Sequence, residues 1–523
     1  MKKLLTLTLA ASLLLTGCGI PKETTPTETT PETTVPQATE VVKEITGPVV
    51  EILLDSQSIT VTGDGDGVYT SRDIVYYENK VSYQSGNPYG EGEAWEMHSR
   101  EEAEAHLVVN ITAPGSYRLS GTLDKGQIRI DLGEDAAKDP DAVVNLILDN
   151  AEITCTVAPA IVFQNVYECG SKSDKKASPD VDTAAAGANL ILPENSQNIV
   201  TGSHVAKIYK DNEDEKKLWK QDGAVYSYMS MNVYGPGALE INADNEGLDT
   251  ELHLSIFGGN ITIRSGNDGI NTNEDGVSVT AIHGGTLRIL AGLGEEGDGI
   301  DSNGYLVIYG GTVISSANPI SDAGLDSDLG SFIHGGTVIA LGAPMDWAES
   351  DSGQVTMNLQ FQDAQSGEIR ITREDGSDVF TFDPALDPVL AEASRSYRGV
   401  ILSCPDFRVG DAYLVFVGGR QMGYTGTDVM QHGPGTFKPG EGGQRPVGGI
   451  GIPEDRDDMP EPPEGDVQIP PPPSEGMEPV PQGTPPTWPG GTAPDRSQAE
   501  NPLRTVFVML DQVNFFTGLT PVQ

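Results

Sequence analysis

Between residues 247 and 342 the chain repeats itself, and that repeat limits the fold more than any other feature. Four segments follow one template: Gly247-Leu248-Asp249-Thr250, Gly269-Ile270-Asn271-Thr272, Gly299-Ile300-Asp301-Ser302 and Gly324-Leu325-Asp326-Ser327. Each is followed by a double glycine, beginning at Gly258, Gly284, Gly310 and Gly335, at spacings of 26, 26 and 25 residues. An isoleucine stands two positions before each pair (Ile256, Ile282, Ile308, Ile333), and an apolar run follows it. A fixed period of this length means stacked structural units. Apolar residues alternate at period two and no segment offers a ten-residue amphipathic helix, so the units are built of strands. About 25 residues holds three short strands and three turns, one coil of a parallel β-helix. Propeller blades run longer, roughly 40 residues. The expected fold is therefore all-β, a parallel β-helix solenoid.

Stacking sets equivalent side chains of successive coils about 4.8 Å apart. Leu248, Ile270, Ile300 and Leu325 then form an inward apolar file. Asp249, Asn271, Asp301 and Asp326 come next and should point outward, as should Glu251, Asn273, Asn303 and Asp328 two positions further on. Asp268 and Asp298 precede the shared glycines, with Asp322 nearby. Two carboxylates at this spacing repel by roughly 3–4 kcal/mol at an effective dielectric of about 20. Residues 240–330 carry 15 acidic side chains and 2 basic ones, Arg264 and Arg288, so protein cations cannot neutralise the file. Calcium can, because it takes six to eight oxygens from carboxylates, amides, carbonyls and water. The expected calcium ligands are Asp249, Asp268, Asn271, Asn273, Asp298, Asp301, Asn303, Asp322, Asp326 and Asp328. The alternative is that these Asp and Asn residues serve only as turn formers with water between them.

A second file is aromatic. Phe257, His283, Tyr309 and His334 each follow an inward isoleucine, so alternation turns them outward. Such a row is either a platform on which sugar rings stack or a ladder that stabilises the coil itself. A zinc site is excluded, because His283 and His334 lie two coils apart, roughly 9–10 Å.

A net charge of −45 argues against nucleic acid as a partner and against direct attraction to anionic lipid. Lys2 and Lys3 precede an apolar run over residues 4–15 that ends in Leu15-Thr16-Gly17-Cys18. This reads as a signal peptide, residues 1–17. It resembles the bacterial lipoprotein signal, which implies lipidation at Cys18 and a protein anchored to the outside of the cell membrane rather than spanning it. Cys155, Cys169 and Cys404 remain; Cys155 and Cys169 either bridge a loop or are buried free thiols.

Residues 18–47, rich in Thr, Pro and Glu, form a tether. Residues 48–342 are assigned to the solenoid, with irregular early coils and polar insertions at 170–182 and 207–221; Asp64-Gly65-Asp66-Gly67 reads as a tight turn or as the start of a calcium loop, although no later acidic residue completes an EF-hand pattern. The 207–221 insertion reads as a short helix or a loop. The period stops after Gly342, and residues 343–432 are assigned to a β-rich cap with a short helix over 388–396. Residues 433–500 are Pro/Gly-rich and expected to be disordered. Residues 501–523 carry an apolar run that either returns as a strand on the cap or serves as a docking segment.

Ile111-Thr112-Ala113-Pro114-Gly115-Ser116-Tyr117-Arg118-Leu119-Ser120-Gly121, Gly126-Gln127-Ile128, Pro159-Ala160-Ile161, Asp298-Gly299-Ile300-Asp301-Ser302-Asn303-Gly304 and Gly310-Gly311-Thr312-Val313 occur in that order. Together they resemble the carbohydrate-binding-domain-containing surface proteins of bacteria, over roughly residues 49–419. The resemblance implies a right-handed parallel β-helix related in shape to pectate lyases. It also implies bound calcium and plant cell-wall polysaccharides, cellulose or polygalacturonate, as partners. It implies binding better than catalysis. A monomer is expected.

Two rival readings remain. One is a calcium-dependent polysaccharide lyase. Against it, Arg264 and Arg288 lie in an acidic field that keeps them charged and makes them poor bases. The arginine-proline-arginine signature of pectate lyases and the Gly-His-Gly segment of polygalacturonases are also absent. The other is a purely structural adhesin.

Overall fold

The computed structural model describes residues 43–78, 89–90, 92–169, 178–209, 219–427 and 503–522. The signal peptide, Cys18, most of the tether and the 433–500 tail lie outside the described residues. What is described is nearly all β: thirty-four strands against one five-residue helix. That helix, Arg100–Glu104, opens on a capping box, with Ser99 Oγ accepting from Glu102 N and the Glu102 carboxylate accepting from Ser99 N. No helix among the described residues is long and apolar enough to cross a membrane.

The repeats form parallel ladders. In the first, the strands Met231–Tyr234, Leu254–Ile256, Val279–Ile282, Tyr305–Ile308 and Gly330–Ile333 pair in sequence, aligning Val233, Ile256, Ile282, Ile308 and Ile333. In the second, Ala238–Ala243, Asn260–Ser265, Thr286–Leu290, Thr312–Ser316 and Thr337–Gly342 pair in sequence. The third runs Gly223–Ser227, Glu246–Thr250 and Ile270–Thr272, and continues as a bridge from Ile270 to Ile300. Earlier strands extend all three: Ala188–Ile191 the first, Gln197–Gly202 the second and Ile161–Asn165 the third.

Inside the ladders, equivalent aliphatic residues meet and exclude water. Leu248, Ile270, Ile300 and Leu325 have no accessible surface, nor do Ile256, Ile282, Ile308 and Ile333. Each such burial stabilises the fold by about 1.5–3 kcal/mol. The double glycines hold the corners. Gly259, Gly285, Gly311 and Gly336 adopt φ of 106°, 85°, 86° and 88°, and a Cβ on Gly311 would lie 2.7 Å from Gly285 O.

Parallel growth ends at Thr337–Gly342, which pairs antiparallel with Tyr397–Ser403. Tyr397–Ser403 pairs antiparallel with Thr356–Gln365, and Val513–Pro521 adds to that strand in parallel. A second small sheet joins Asp378–Phe382, Ile369–Arg373, Ala412–Val417 and Phe507–Val508. The apolar C-terminal run thus returns to pair with the strands that follow the repeats.

Three local expectations are corrected or resolved. The insertion at 207–221 is neither a helix nor a loop at its ends, because Val205–Tyr209 and Trp219–Gln221 pair antiparallel, with residues 210–218 outside the described residues. The helix expected over 388–396 shrinks to a 3-10 turn, Leu390–Glu392; Asp387 Oδ1 accepts from Val389 N and Leu390 N and holds the chain in a turn. Cys155, Cys169 and Cys404 are free thiols.

Candidate functional site

Two files of side chains run along the repeats. The first is acidic. Parallel pairing aligns Tyr226, Asp249 and Asn271, and the Ile270–Ile300 bridge brings Asp301 next in line. These side chains leave the apolar core, as alternation requires, but the exposure expected for Asp249 and Asn271 is not found: Asp249 is wholly buried and Asn271 nearly so. The chain at Lys220, Asp222 and Gly223 covers them. A Cβ on Gly223 would sit 2.6 Å from Asp249 Cβ.

At this buried end, carboxylate oxygens of Asp222, Glu246 and Asp249 lie within 4.8 Å of one another. Asn271 Nδ2 donates to Glu246 Oε1 at 3.1 Å and Asn273 Nδ2 to Asp249 Oδ1 at 2.6 Å. That leaves Glu246 Oε2, Asp249 Oδ2 and Asn271 Oδ1 buried without a partner. An unpaired buried oxygen costs about 1–3 kcal/mol, more when charged. Burial, and then Glu246, push the Asp249 carboxyl well above the usual range.

The file continues repeat by repeat. Asp268 Oδ1 accepts from Asp298 N at 2.7 Å, and Asp298 Oδ1 accepts from Ala323 N at 2.5 Å. Asp322 Oδ2 accepts from Gly297 N at 2.8 Å. Asn303 Nδ2 donates to Asn273 O at 2.8 Å and to Asp275 Oδ1 at 3.0 Å. Burial raises Asp268 well above the ordinary carboxylate range, with Glu246, Asp301 and Asp298 adding to it. Asp298 is pushed up to about 8 by burial and then by Asp326; Asp301 reaches about 8 for the same reasons, with Asp328 contributing. Asp346, beyond the last repeat, is raised by burial and by Asp326. Exposure grows along the file: Asp268 is buried, Asp301, Asp322 and Asp326 are half-buried, and Asp328 is exposed. The donor set is all oxygen, which suits a hard cation such as calcium.

The second file is aromatic and longer than expected. Tyr234, Phe257, His283, Tyr309 and His334 stack, with centroids 4.8, 4.6, 4.9 and 5.5 Å apart and planes tilted by 4°, 7°, 8° and 32°. Faces of the inner rings are turned to one another, so the rings offer their edges outward. Lys43 Nζ lies 5.2 Å over the Tyr234 ring at one end. At the other, His334 Nδ1 accepts from Gly353 N at 3.0 Å. The Tyr309 hydroxyl bonds with Asp180 Oδ1 at 3.1 Å and Pro179 O at 3.2 Å. Burial lowers the His283 pKa, keeping that imidazole neutral in the stack.

The two arginines of the acidic stretch are engaged away from the file. Arg264 grips Glu392 with two bonds of 2.6 Å and reaches Glu240 at 3.1 Å. Arg288 Nε donates to Asp387 Oδ2 at 3.2 Å.

Sequence reasoning missed Glu246, Asp222, Lys220, Asp346 and Tyr234. Tyr234 carried a signal, since Val233-Tyr234-Gly235 repeats the pattern of Ile256-Phe257-Gly258. Lys220 carried none, because it reaches the file from the insertion outside the period, and Asp222 stands at the junction of that insertion with the strand Gly223–Ser227.

An all-β protein of stacked repeats, with an oxygen-rich acidic file along one face, is the class that fold and site define. The sequence profile of the carbohydrate-binding domain-containing protein family matches residues 105–378, more than half of the 523-residue chain. The chain belongs to this family. A carbohydrate-binding domain-containing protein of Acetivibrio thermocellus is 32% identical over 158 residues, which is 30% of this chain and 45% of that relative. The chain thus spans less than half the length of this relative. No solved structure matches.

Proposed function

We propose that this protein binds polysaccharide at the cell surface, in a calcium-dependent manner and without catalysis. The reading includes a right-handed parallel β-helix, a monomer, and a lipid anchor at Cys18. The observation that carries it is the trio of orphaned buried oxygens, Glu246 Oε2, Asp249 Oδ2 and Asn271 Oδ1, in a chain of a carbohydrate-binding family.

Division of labour follows the exposure gradient. At the buried end, Asp222, Glu246, Asp249, Asn271 and Asn273 would hold calcium as part of the structure. Asp268 is buried as well and joins them; further along, Asp298, Asp301, Asn303, Asp322, Asp326 and Asp328 would hold it where water can reach. An ion there still has coordination positions to share with a uronate carboxylate, so calcium bridges an acidic chain to an acidic polymer. Without it, a protein of net charge −45 repels polygalacturonate. In this reading the edges of His283, Tyr309 and His334 supply further hydrogen-bonding groups to sugar hydroxyls. Arg264 and Arg288, both held by carboxylates, favour binding over a lyase reaction.

Pull-down of chelator-stripped protein on insoluble cellulose and on calcium-free polygalacturonate beads, with and without added calcium, tests the reading. Retention is expected only with calcium, and without unsaturated product. Retention that ignores chelator removes the calcium dependence; unsaturated uronide in the supernatant removes the non-catalytic reading.

A further inference from the structure

Lys220 sits inside the acidic cluster, and its position is informative. Its Nζ lies 2.5 Å from Asp222 Oδ2 and donates to Asn273 Oδ1 at 3.0 Å. Asp222 belongs to the carboxylate trio, and Asn273 supports Asp249 through a bond of 2.6 Å. An ammonium therefore already occupies two of the oxygens around the cluster. It leaves Glu246 Oε2, Asp249 Oδ2 and Asn271 Oδ1 unsatisfied. With all three carboxylates ionised, as a bound cation favours, one positive charge leaves a formal deficit of two, which a divalent ion matches and a second lysine would not.

We propose that Lys220 is a resident cation that competes with calcium for the buried cluster and sets how much calcium the protein needs; this rests on the calcium reading above. A divalent ion and an ammonium sharing one cluster repel, and both draw on the Asp222 and Asn273 oxygens. Calcium entry pushes the ammonium outward. Lys220 belongs to the strand Trp219–Gln221, held to Val205–Tyr209 by two register pairs, Val205 with Gln221 and Ile208 with Trp219. So short a ladder yields easily, and loss of the Lys220 contacts loosens it. The insertion thereby reports whether the cation site in the coils is filled.

Titration calorimetry with calcium chloride on stripped full-length protein, wild type against Lys220→Gln and Lys220→Arg, tests this. Lys220→Gln is expected to bind calcium on the order of tenfold more tightly, and Lys220→Arg to stay within about threefold of wild type. Amide hydrogen exchange of Val205–Tyr209 and Trp219–Gln221 is read in parallel. Calcium is expected to speed it in wild type and to leave it unchanged in Lys220→Gln, where circular dichroism confirms the fold. Wild type that binds calcium with the same affinity as Lys220→Gln overturns the proposal and leaves the calcium reading standing. Exchange slowed by calcium in wild type overturns the displacement. Absence of calcium binding in all three proteins sinks the proposal together with the calcium reading.

Discussion

The aromatic file and the acidic file are built by the same device and have opposite energetics. Both repeat one residue type at the spacing of stacked strands. Rings at 4.6–4.9 Å attract their neighbours, so Phe257, His283 and Tyr309 form a column that satisfies itself. Carboxylates at the same spacing repel, and burial makes each charge dearer. The acidic column therefore relies on backbone amides at Asp268 and Asp298, on one lysine at Asp222, and on whatever fills the space beside Glu246 and Asp249. A repeat that stacks like on like is a structural asset where the side chain is neutral and a cost that calls for a counter-charge where it is charged.

The largest effect expected from this contrast falls on the acidic side. Replacing Asp298 by Asn removes the cost of burying an ionisable carboxyl in the middle of the file, where desolvation and Asp326 push it up to about 8. In chelator, the variant is expected to unfold with about 1–3 kcal/mol more stability than wild type in a denaturant titration. In calcium the order should reverse, because a ligand is gone. An Asp298→Asn protein less stable than wild type in both conditions would break the contrast.

On the aromatic side, His283→Ala deletes two stacking contacts and is expected to cost about 1–3 kcal/mol, with or without calcium. His283→Phe should be nearly neutral, since the imidazole is held neutral among rings. Urea unfolding of both variants checks this, and a calcium-dependent loss in His283→Ala would merge the two files into one system.

Smaller effects sharpen the comparison from outside it. Arg264→Ala removes a partly exposed pair with Glu392 and should cost about 0.5–1 kcal/mol, leaving polysaccharide retention unchanged. Loss of retention would return Arg264 to the binding surface. His204 lies between Glu96 Oε1 at 2.8 Å and Asp244 Oδ1 at 3.1 Å. Burial opposes its protonation, but bonds and charge from Asp244 and Glu96 outweigh it and hold its pKa above the ordinary value. The stability this contributes is fully present below about pH 6.5 and is lost as pH rises through the folded-state value. Melting temperature in chelator should show that step in wild type, and His204→Gln should lack it.

Much of this architecture was legible because backbone sterics write themselves into sequence. The double glycines gave the period, since Gly285, Gly311 and Gly336 each need a positive φ and close approach to the coil before. Alternation gave the inward file of Leu248, Ile270, Ile300 and Leu325. What alternation could not give was cover. It turned Asp249 away from the core, but the chain at Lys220 and Asp222, which carries no repeat signature, closes over it. Lys220 was illegible as a partner of Asn273 for the same reason: their meeting depends on a strand outside the repeat returning to it; Glu246, by contrast, precedes Gly247 as Asp268 precedes Gly269. The aromatic row was read as either a sugar platform or a ladder; its stacked geometry shows how the rings meet one another, and the polymer's place along their edges stands as a proposal.

Central to the account is that the buried acidic column stands at full stability only around a divalent cation. The melting temperature of stripped protein, followed as calcium chloride is added at constant ionic strength, tests this most directly. The account predicts a rise that continues with the logarithm of free calcium, worth about 2.7 kcal/mol per site at a hundredfold excess over Kd. A melting temperature that does not move would contradict it.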